Sequence, residues 1–213
     1  MLGQEEFHHL TLYLDRHTLI PRPETSELVD LICRESGTAG RRILDIGTGS
    51  GCIAIALSKA MENSRTEACD IDPEALKKAR KNAGMHHADI RFFSCDILHW
   101  QDYSFPKYDL IVSNPPYIMQ KEAADMSERV LGYEPHTALF VPDGDPMLFY
   151  RNIAQMGKRY LDADGEIWFE INEKLGNMYI SLLEQEGYSD IALYQDSYGK
   201  DRFITAKWKR QIG

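Results

Sequence analysis

Asn114, Pro115, Pro116 and Tyr117 follow directly on the apolar run Tyr108 to Ser113. Two consecutive prolines remove two backbone donors, fix two φ angles and push the preceding residue toward an extended conformation, so no helix continues the strand. What remains is a rigid platform carrying one amide side chain and free carbonyls. In open α/β sheets the carboxyl ends of the strands are where ligands bind. The Asn114 side-chain oxygen and the Pro115 carbonyl can each accept one N–H of an amide or amine, Tyr117 can pack against a flat group, and Pro116 supplies rigidity. A plain Pro-Pro turn with an Asn cap would account for these four residues, but it leaves two other features of the chain unexplained.

The first is Gly47-Thr48-Gly49-Ser50-Gly51, set between the short apolar strand Arg42 to Ile46 and a helical stretch through Ile53 to Leu57. Strand, glycine turn, helix is the order of a nucleotide-binding βαβ start, and glycine lets the backbone approach a ligand closely. The dinucleotide fingerprint wants its third glycine one position later, where this chain has Cys52. Asp45 sits just before the turn, where it would repel a pyrophosphate but suits a cationic amino-acid head. S-adenosylmethionine, with its amino group and sulfonium, fits that charge where NAD does not.

The second feature is Asp70, nineteen residues past Gly51 in Cys69-Asp70-Ile71-Asp72. A carboxylate at that strand tip is placed to accept both ribose hydroxyls of a nucleoside. Ile71 is counted with it as cofactor-binding, whereas Asp72 with Pro73 reads as the cap and first turn of the next helix. After the third strand, Asp96 is placed for the adenine amino group and Ile97 for the ring face. A simple turn-capping role for Asp96 stays open beside that.

The elements that must hold these residues read as follows. Phe7 to Leu19 alternates, with Leu10, Leu12 and Leu14 on one face, and suggests a strand or hairpin before the stiff Ile20-Pro21-Arg22-Pro23. Glu24-Thr25-Ser26-Glu27 matches a helix start in cap chemistry, and that helix ends near Gly37. Further strands are expected at Thr66 to Asp70, Ile90 to Ser94, Tyr108 to Ser113, Gly165 to Ile171, Ile191 to Gln195 and Arg202 to Trp208. Helices are expected at Pro73 to Ala83, Asp145 to Leu161 and Leu175 to Glu186. A connection of about 25 residues, Ile118 to Pro142, is longer than ordinary loops and is a functional-loop candidate. The alternation gives a doubly wound α/β fold with a mostly parallel seven-stranded sheet and an antiparallel terminal strand, preceded by a short hairpin.

At 213 residues the chain accommodates one well-buried domain and a short appendage. A formal charge of -9 argues against a broad nucleic-acid footprint, and the basic runs Lys77 to Lys81 and Lys207 to Arg210 read as solvated surface. Four dispersed cysteines without a C-x-x-C pair read as reduced thiols of a cytoplasmic protein. No apolar stretch reaches membrane-spanning length. His86, His87, His99 and His136 lack ligand spacing, and His8 and His9, as neighbours on a strand, would point to opposite faces, so no metal is expected.

The chain resembles the N5-glutamine methyltransferases of the HemK/PrmC type. The resemblance runs through Leu19-Ile20-Pro21-Arg22-Pro23-Glu24-Thr25, Ile43 to Gly51, Val112 to Ile118, Glu134-Pro135 with Ala138-Leu139, and Asp196 with Gly199 and Arg202. It implies a class I methyltransferase fold, S-adenosylmethionine as cofactor, and methylation of the glutamine in the Gly-Gly-Gln motif of peptide-chain release factors. It also implies an additional N-terminal helical domain, so that residues 1–20 would be its hairpin and linker remnant and residues 21–213 the methyltransferase domain. It brings Glu24 and Thr25 near the cofactor, with a helix-cap role equally open for both. Arg22 is expected to pair with a substrate or cofactor carboxylate or with Glu24, and Glu134-Pro135 to shape a peptide groove. A monomer acting on protein, without direct nucleic-acid or membrane contact, is the expectation. The rival enzyme reading is methylation of an exocyclic amine in DNA or RNA on the same platform; an inactive cofactor-binding module and an NAD-dependent dehydrogenase are weaker rivals.

Overall fold

The computed structural model describes residues 3–38, 40–125 and 134–209. Part of the long connection, residues 126–133, and Arg210 of the terminal basic run lie outside the described residues.

Seven strands form the central sheet: β3 (Arg42–Ile46), β4 (Arg65–Asp70), β5 (Ile90–Ser94), β6 (Tyr108–Ser113), β9 (Leu161–Glu170), β10 (Ser189–Gln195) and β11 (Asp201–Trp208). Their spatial order is β10-β11-β9-β6-β3-β4-β5. All neighbouring pairs from β9 to β5 are parallel, while β11 runs antiparallel to both β9 and β10. The antiparallel strand is therefore the last in sequence, as expected, but it lies inside the sheet, inserted between β9 and β10.

Both faces of this sheet are covered, and alternate residues of the central strands divide between two cores. Leu44, Ile111, Ile167 and Phe169 face one side with Tyr150, Ile153 and Met156 of α5 (Leu148–Tyr160) and Tyr179 and Leu183 of α6 (Gly176–Gln185). Ile43, Leu110, Val112 and Trp168 face the other, with Leu28, Val29 and Ile32 of α1 (Pro23–Ser36) and Ile53, Ile55 and Leu57 of α2 (Cys52–Ala60). Such two-sided burial explains why these strands read as nearly unbroken apolar runs.

From β3 the chain winds outward through α2, β4, α3 (Pro73–Met85) and β5, then returns to place β6 on the opposite side of β3. The reversal leaves a crevice beyond the carboxyl ends of β3 and β6, the position at which doubly wound sheets bind ligands. The glycine turn leaves β3 and the Pro-Pro platform leaves β6, so topology brings the two together.

The amino-terminal hairpin, β1 (Gln4–Phe7) with β2 (Leu10–Tyr13), packs its Phe7, Leu10 and Leu12 into the second core. His8 and His9 are not strand residues; they form the two-residue turn, both at positive φ (45° and 63°), the twist such tight hairpins require. The long connection contains a small parallel pair, β7 (Ile118–Met119) with β8 (Phe140–Val141), a 3-10 segment over Gln120–Asp125 and the single turn α4 (His136–Leu139). Asp145, expected to open a helix, lies three residues before α5 and is held by Arg151 at 2.8 and 2.9 Å.

Candidate active site

The glycine turn is fixed from beneath and from both sides. Gly47 and Thr48 donate their backbone N–H groups to the Cys69 carbonyl at 2.9 and 3.0 Å. Gly47, Gly49 and Gly51 all have positive φ, and a Cβ built on Gly47 or Gly49 would meet no atom within 4 Å, so space above the turn is open. Gly51 differs, because its Cβ would lie 3.2 Å from both Ala79 Cβ and Ile55 Cδ1 where α2 and α3 approach.

Asp45 is 1% exposed and lies under the turn. Its Oδ2 accepts the Thr48 hydroxyl at 2.6 Å and the Ala54 N–H at 3.2 Å, while Oδ1 is buried without a partner among the described residues. Burial pushes this carboxyl up to about 7, against those two hydrogen bonds. The contact Asp45 makes in this structure therefore holds the turn onto α2.

At the tip of β4, Asp70 accepts the Gly49 N–H on Oδ2 at 2.8 Å and the Asp72 N–H on Oδ1 at 2.9 Å. Burial raises its pKa, opposed by these backbone donors. Each carboxylate oxygen has a second lone pair left for a ligand hydroxyl. Beside it Ile71 is 59% exposed, an apolar side chain left open at the crevice. Asp72 caps α3 through the Glu74 N–H at 2.8 Å, as expected. Asp96 caps the 3-10 segment Ile97–Asp102, accepting the Leu98 N–H at 2.9 Å, and its other oxygen meets His99 Nδ1 at 2.8 Å; Ile97 is half-buried at the start of that segment. An open backbone cradle, a carboxylate with free lone pairs and an exposed apolar side chain fit the charged head, ribose and ring of S-adenosylmethionine.

Across the crevice, Ser113 anchors the end of β6 by donating its hydroxyl to the Ile46 carbonyl at 2.7 Å. Pro115 is buried, and Asn114, Pro116 and Tyr117 are half-buried. The Tyr117 carbonyl accepts from Asn172 Nδ2 at 3.4 Å and its hydroxyl points to Glu170 Oε1 at 3.3 Å. Asn114 Nδ2 faces the Thr25 hydroxyl at 3.4 Å. Leu19, Arg22, Asn114, Pro115, Tyr117 and Leu139 are among the residues lining a cavity of about 50 Å³ against the platform. A separate open cleft of about 620 Å³, with Arg65, Glu67 and Arg91 in its wall, lies at the opposite end of the sheet, away from all of these residues.

Two expectations for the segment before α1 change. The helix begins at Pro23, with Arg22 as an extended N-cap residue and no side-chain cap, so Thr25 lies inside the first turn and caps nothing. Its hydroxyl instead donates to Glu170 Oε2 at 2.6 Å; Glu24, in the same turn, is half-buried. Arg22 pairs with neither Glu24 nor an open site but with Glu134, its Nη2 reaching both carboxylate oxygens at 2.7 and 2.9 Å, the Glu134 side chain being 1% exposed. That pair straps the long connection over the Pro-x-Pro segment.

Two residues outside the expected set support the site. Glu170, at the end of β9, is 1% exposed and accepts from both Thr25 and Tyr117. Asn82, fully buried in α3, donates to the Ser50 carbonyl at 2.9 Å and to the Tyr13 carbonyl at 3.0 Å, and accepts the Tyr13 N–H at 2.9 Å, tying the hairpin to the glycine turn. Each had a signal in the sequence: an acid closing an apolar strand, and an amide on the apolar face of a helix.

The methyltransferase small domain family matches residues 25–136. A release factor glutamine methyltransferase of Flavobacterium psychrophilum is 44% identical over 213 residues, covering 98% of this chain and 74% of the relative. One of Bacteroides thetaiotaomicron is 46% identical over 204 residues, covering 96% and 73%. The chain belongs to the release factor glutamine methyltransferase family.

Solved structures extend the likeness at the level of fold. The hMettl16 catalytic domain, in complex with MAT2A 3'UTR hairpin 1, superposes with a TM-score of 0.74 at 18% identity, over 96% of this chain and 76% of that one. A methyltransferase from Pyrococcus furiosus gives 0.67 at 17% identity, over 94% and 89%. Family membership accounts for the doubly wound sheet and makes this chain an S-adenosylmethionine-dependent methyltransferase. Among the described residues no helix is long and apolar enough to cross a membrane, and no group of three or more His, Cys, Asp or Glu is placed to hold a metal ion.

Proposed function

We propose that this chain methylates the side-chain amide nitrogen of the glutamine in the Gly-Gly-Gln motif of peptide-chain release factors. The observation that carries the reading is the Asn114 to Tyr117 platform, held beside an open glycine cradle in a chain closely related to release factor glutamine methyltransferases.

S-adenosylmethionine, when bound, supplies an electrophilic methyl group on a sulfonium. The proposed binding set is Gly47, Thr48, Gly49, Ser50 and Gly51 around the amino-acid head, with Asp45 fixing the turn from below. Asp70 takes the ribose hydroxyls, Ile71 and Ile97 the ring, and Asp96 the adenine amino group; Glu24 lines the side nearest Asn114, and Thr25, buried with its hydroxyl given to Glu170, supports that side from within.

An amide nitrogen is a weak nucleophile because its lone pair is delocalised into the carbonyl, so positioning and charge compensation must do the work. The Asn114 side-chain oxygen and the Pro115 carbonyl accept the two amide N–H groups, aim the nitrogen and favour the positive charge that develops on it. Tyr117 packs against the amide plane, and Pro116 keeps the carbonyl from turning away. No strong base is required beforehand, because the alkylated nitrogen loses its proton readily.

The reading carries with it a cytoplasmic monomer whose substrate is a protein. It is tested by incubating the protein with donor and a release factor and mapping the modified residue by mass spectrometry. A mass gain of one methyl group on the Gly-Gly-Gln glutamine supports it; an unmodified release factor counts against it.

A further inference from the structure

We infer that Glu170 is a positioning residue that sets which way the Asn114 amide faces, acting through the Thr25 hydroxyl. The inference rests on the proposed role of Asn114 as acceptor of the substrate amide.

Asn114 and Glu170 each lie one residue beyond Ser113 and Phe169, a cross-strand pair of β6 and β9, so their side chains emerge from adjacent strand ends. Thr25, in the first turn of α1, lies between them. Its hydroxyl is 2.6 Å from Glu170 Oε2 and 3.4 Å from Asn114 Nδ2. Thr25 is 3% exposed and Glu170 1%, so water does not substitute for the bond between them; Asn114 is half-buried at the crevice.

The direction of this relay follows from counting protons. Burial raises the Glu170 pKa, opposed by the Thr25 hydroxyl, the Arg202 charge and the Tyr117 hydroxyl; with Thr25 on one oxygen and Tyr117 on the other, the ionised carboxylate accepts from both and cannot donate. The Thr25 hydroxyl has one proton, and Glu170 takes it. Toward Asn114 the Thr25 oxygen then has only lone pairs to offer. The amide must turn its NH₂ to Thr25, because the flipped amide would set two acceptors against each other. Turning the NH₂ inward leaves Oδ1 free on the crevice side, as capture of a substrate N–H requires. A buried acid 145 residues from Thr25 in sequence thereby selects the productive one of two nearly isosteric amide orientations.

Glu170→Gln tests the direction itself. With its NH₂ toward Thr25 a Gln donates there, the Thr25 proton is free for Asn114 Oδ1, and the amide turns over. Thr25→Val removes the relay with little change of shape, and Thr25→Ser retains the hydroxyl.

In methyl transfer to a release factor, Glu170→Gln and Thr25→Val are expected to lower kcat at least 10-fold with cofactor affinity within about 3-fold of the parent, and Thr25→Ser to recover most of the loss. In an Asn114→Ala background, Thr25→Val should cost no further activity, because the group it orients is gone. Full additivity of those two substitutions, or an unchanged kcat in Thr25→Val, would overturn the inference while leaving the methyltransferase reading intact. An independent readout needs no acceptor: the Asn114 side-chain NH₂ resonances, assigned by NMR in the full chain, should shift in Glu170→Gln and Thr25→Val and stay near the parent positions in Thr25→Ser. Unshifted resonances in all three variants would also overturn it. Shifts in Glu170→Gln and Thr25→Val together with a parent protein that leaves the release factor unmethylated would contradict the substrate and leave the relay standing.

Discussion

The Gly49 N–H donates to Asp70 Oδ2 at 2.8 Å, so the turn that leaves β3 and the tip of β4 are joined through the carboxylate proposed to hold the ribose. One group therefore shapes the cradle and, in the proposed complex, would also contact its occupant.

Asp70→Ala should accordingly weaken cofactor binding by about 10- to 100-fold, the size expected for loss of hydrogen bonds to a charged group. Isothermal titration calorimetry gives the comparison directly. An unaltered dissociation constant would show the ribose assignment to be wrong.

Asn114→Ala separates binding from chemistry. The variant should bind cofactor within a few-fold of the parent and lose methyl transfer by about 100-fold or more, as expected when one preorganised acceptor of developing charge is removed. Single-turnover rates with saturating acceptor measure it, and unchanged turnover would sink the amide-acceptor mechanism.

Gly51→Ala acts on the fold. With φ at +84° and a new Cβ at 3.2 Å from Ala79 Cβ and Ile55 Cδ1, the substitution meets both a disfavoured dihedral and a close approach of two helices. A loss of about 2 kcal/mol in denaturant unfolding is expected. A variant as stable as the parent would mean that α2 and α3 are not held this closely.

Asp45 predicts a pH dependence. Its carboxyl is raised by burial to about 7, above the value of about 3.9 in an unfolded chain. The folded state therefore holds this proton more tightly than the unfolded state does, and the contribution to stability falls as pH rises through the window between those values, by at most about 1.4 kcal/mol per pH unit. Asp45→Asn keeps an oxygen for Thr48 and Ala54 and removes the titration. Denaturant unfolding of the cofactor-free protein between pH 5 and 8 should show a flatter profile for Asp45→Asn than for the parent, and identical profiles would contradict it.

What could be read from the sequence was what local rules decide. The Pro-Pro platform, the glycine turn and the Asp72-Pro73 helix start depend on backbone sterics within a few residues, and they stand where expected. The strand runs Ile43 to Ile46 and Leu110 to Val112 were legible because both faces of a parallel sheet are buried. The helix cap expected of Thr25 and the partners expected of Arg22 failed for the opposite reason. Their partners, Glu170 and Glu134, are 145 and 112 residues away, and only the folded sheet decides that a hydroxyl in a first helical turn meets a buried acid instead of its own backbone. Asn82 is a similar case, its three bonds reaching two segments that sequence spacing does not connect. His8 and His9 departed from their expected strand because the hairpin turns between the shorter strands Gln4–Phe7 and Leu10–Tyr13, placing them at its two central positions.

The platform offers acceptors to any planar N–H₂ group, so the identity of the acceptor is the central claim. Its most direct test is to incubate the protein with methyl-labelled S-adenosylmethionine and an equimolar mixture of a release factor and duplex and single-stranded DNA and RNA, then to locate the label. Label is expected on the Gly-Gly-Gln glutamine of the release factor, and about 100-fold less or lower still in Asn114→Ala. Label on an exocyclic amine of the nucleic acid, with the release factor unmodified, would contradict it.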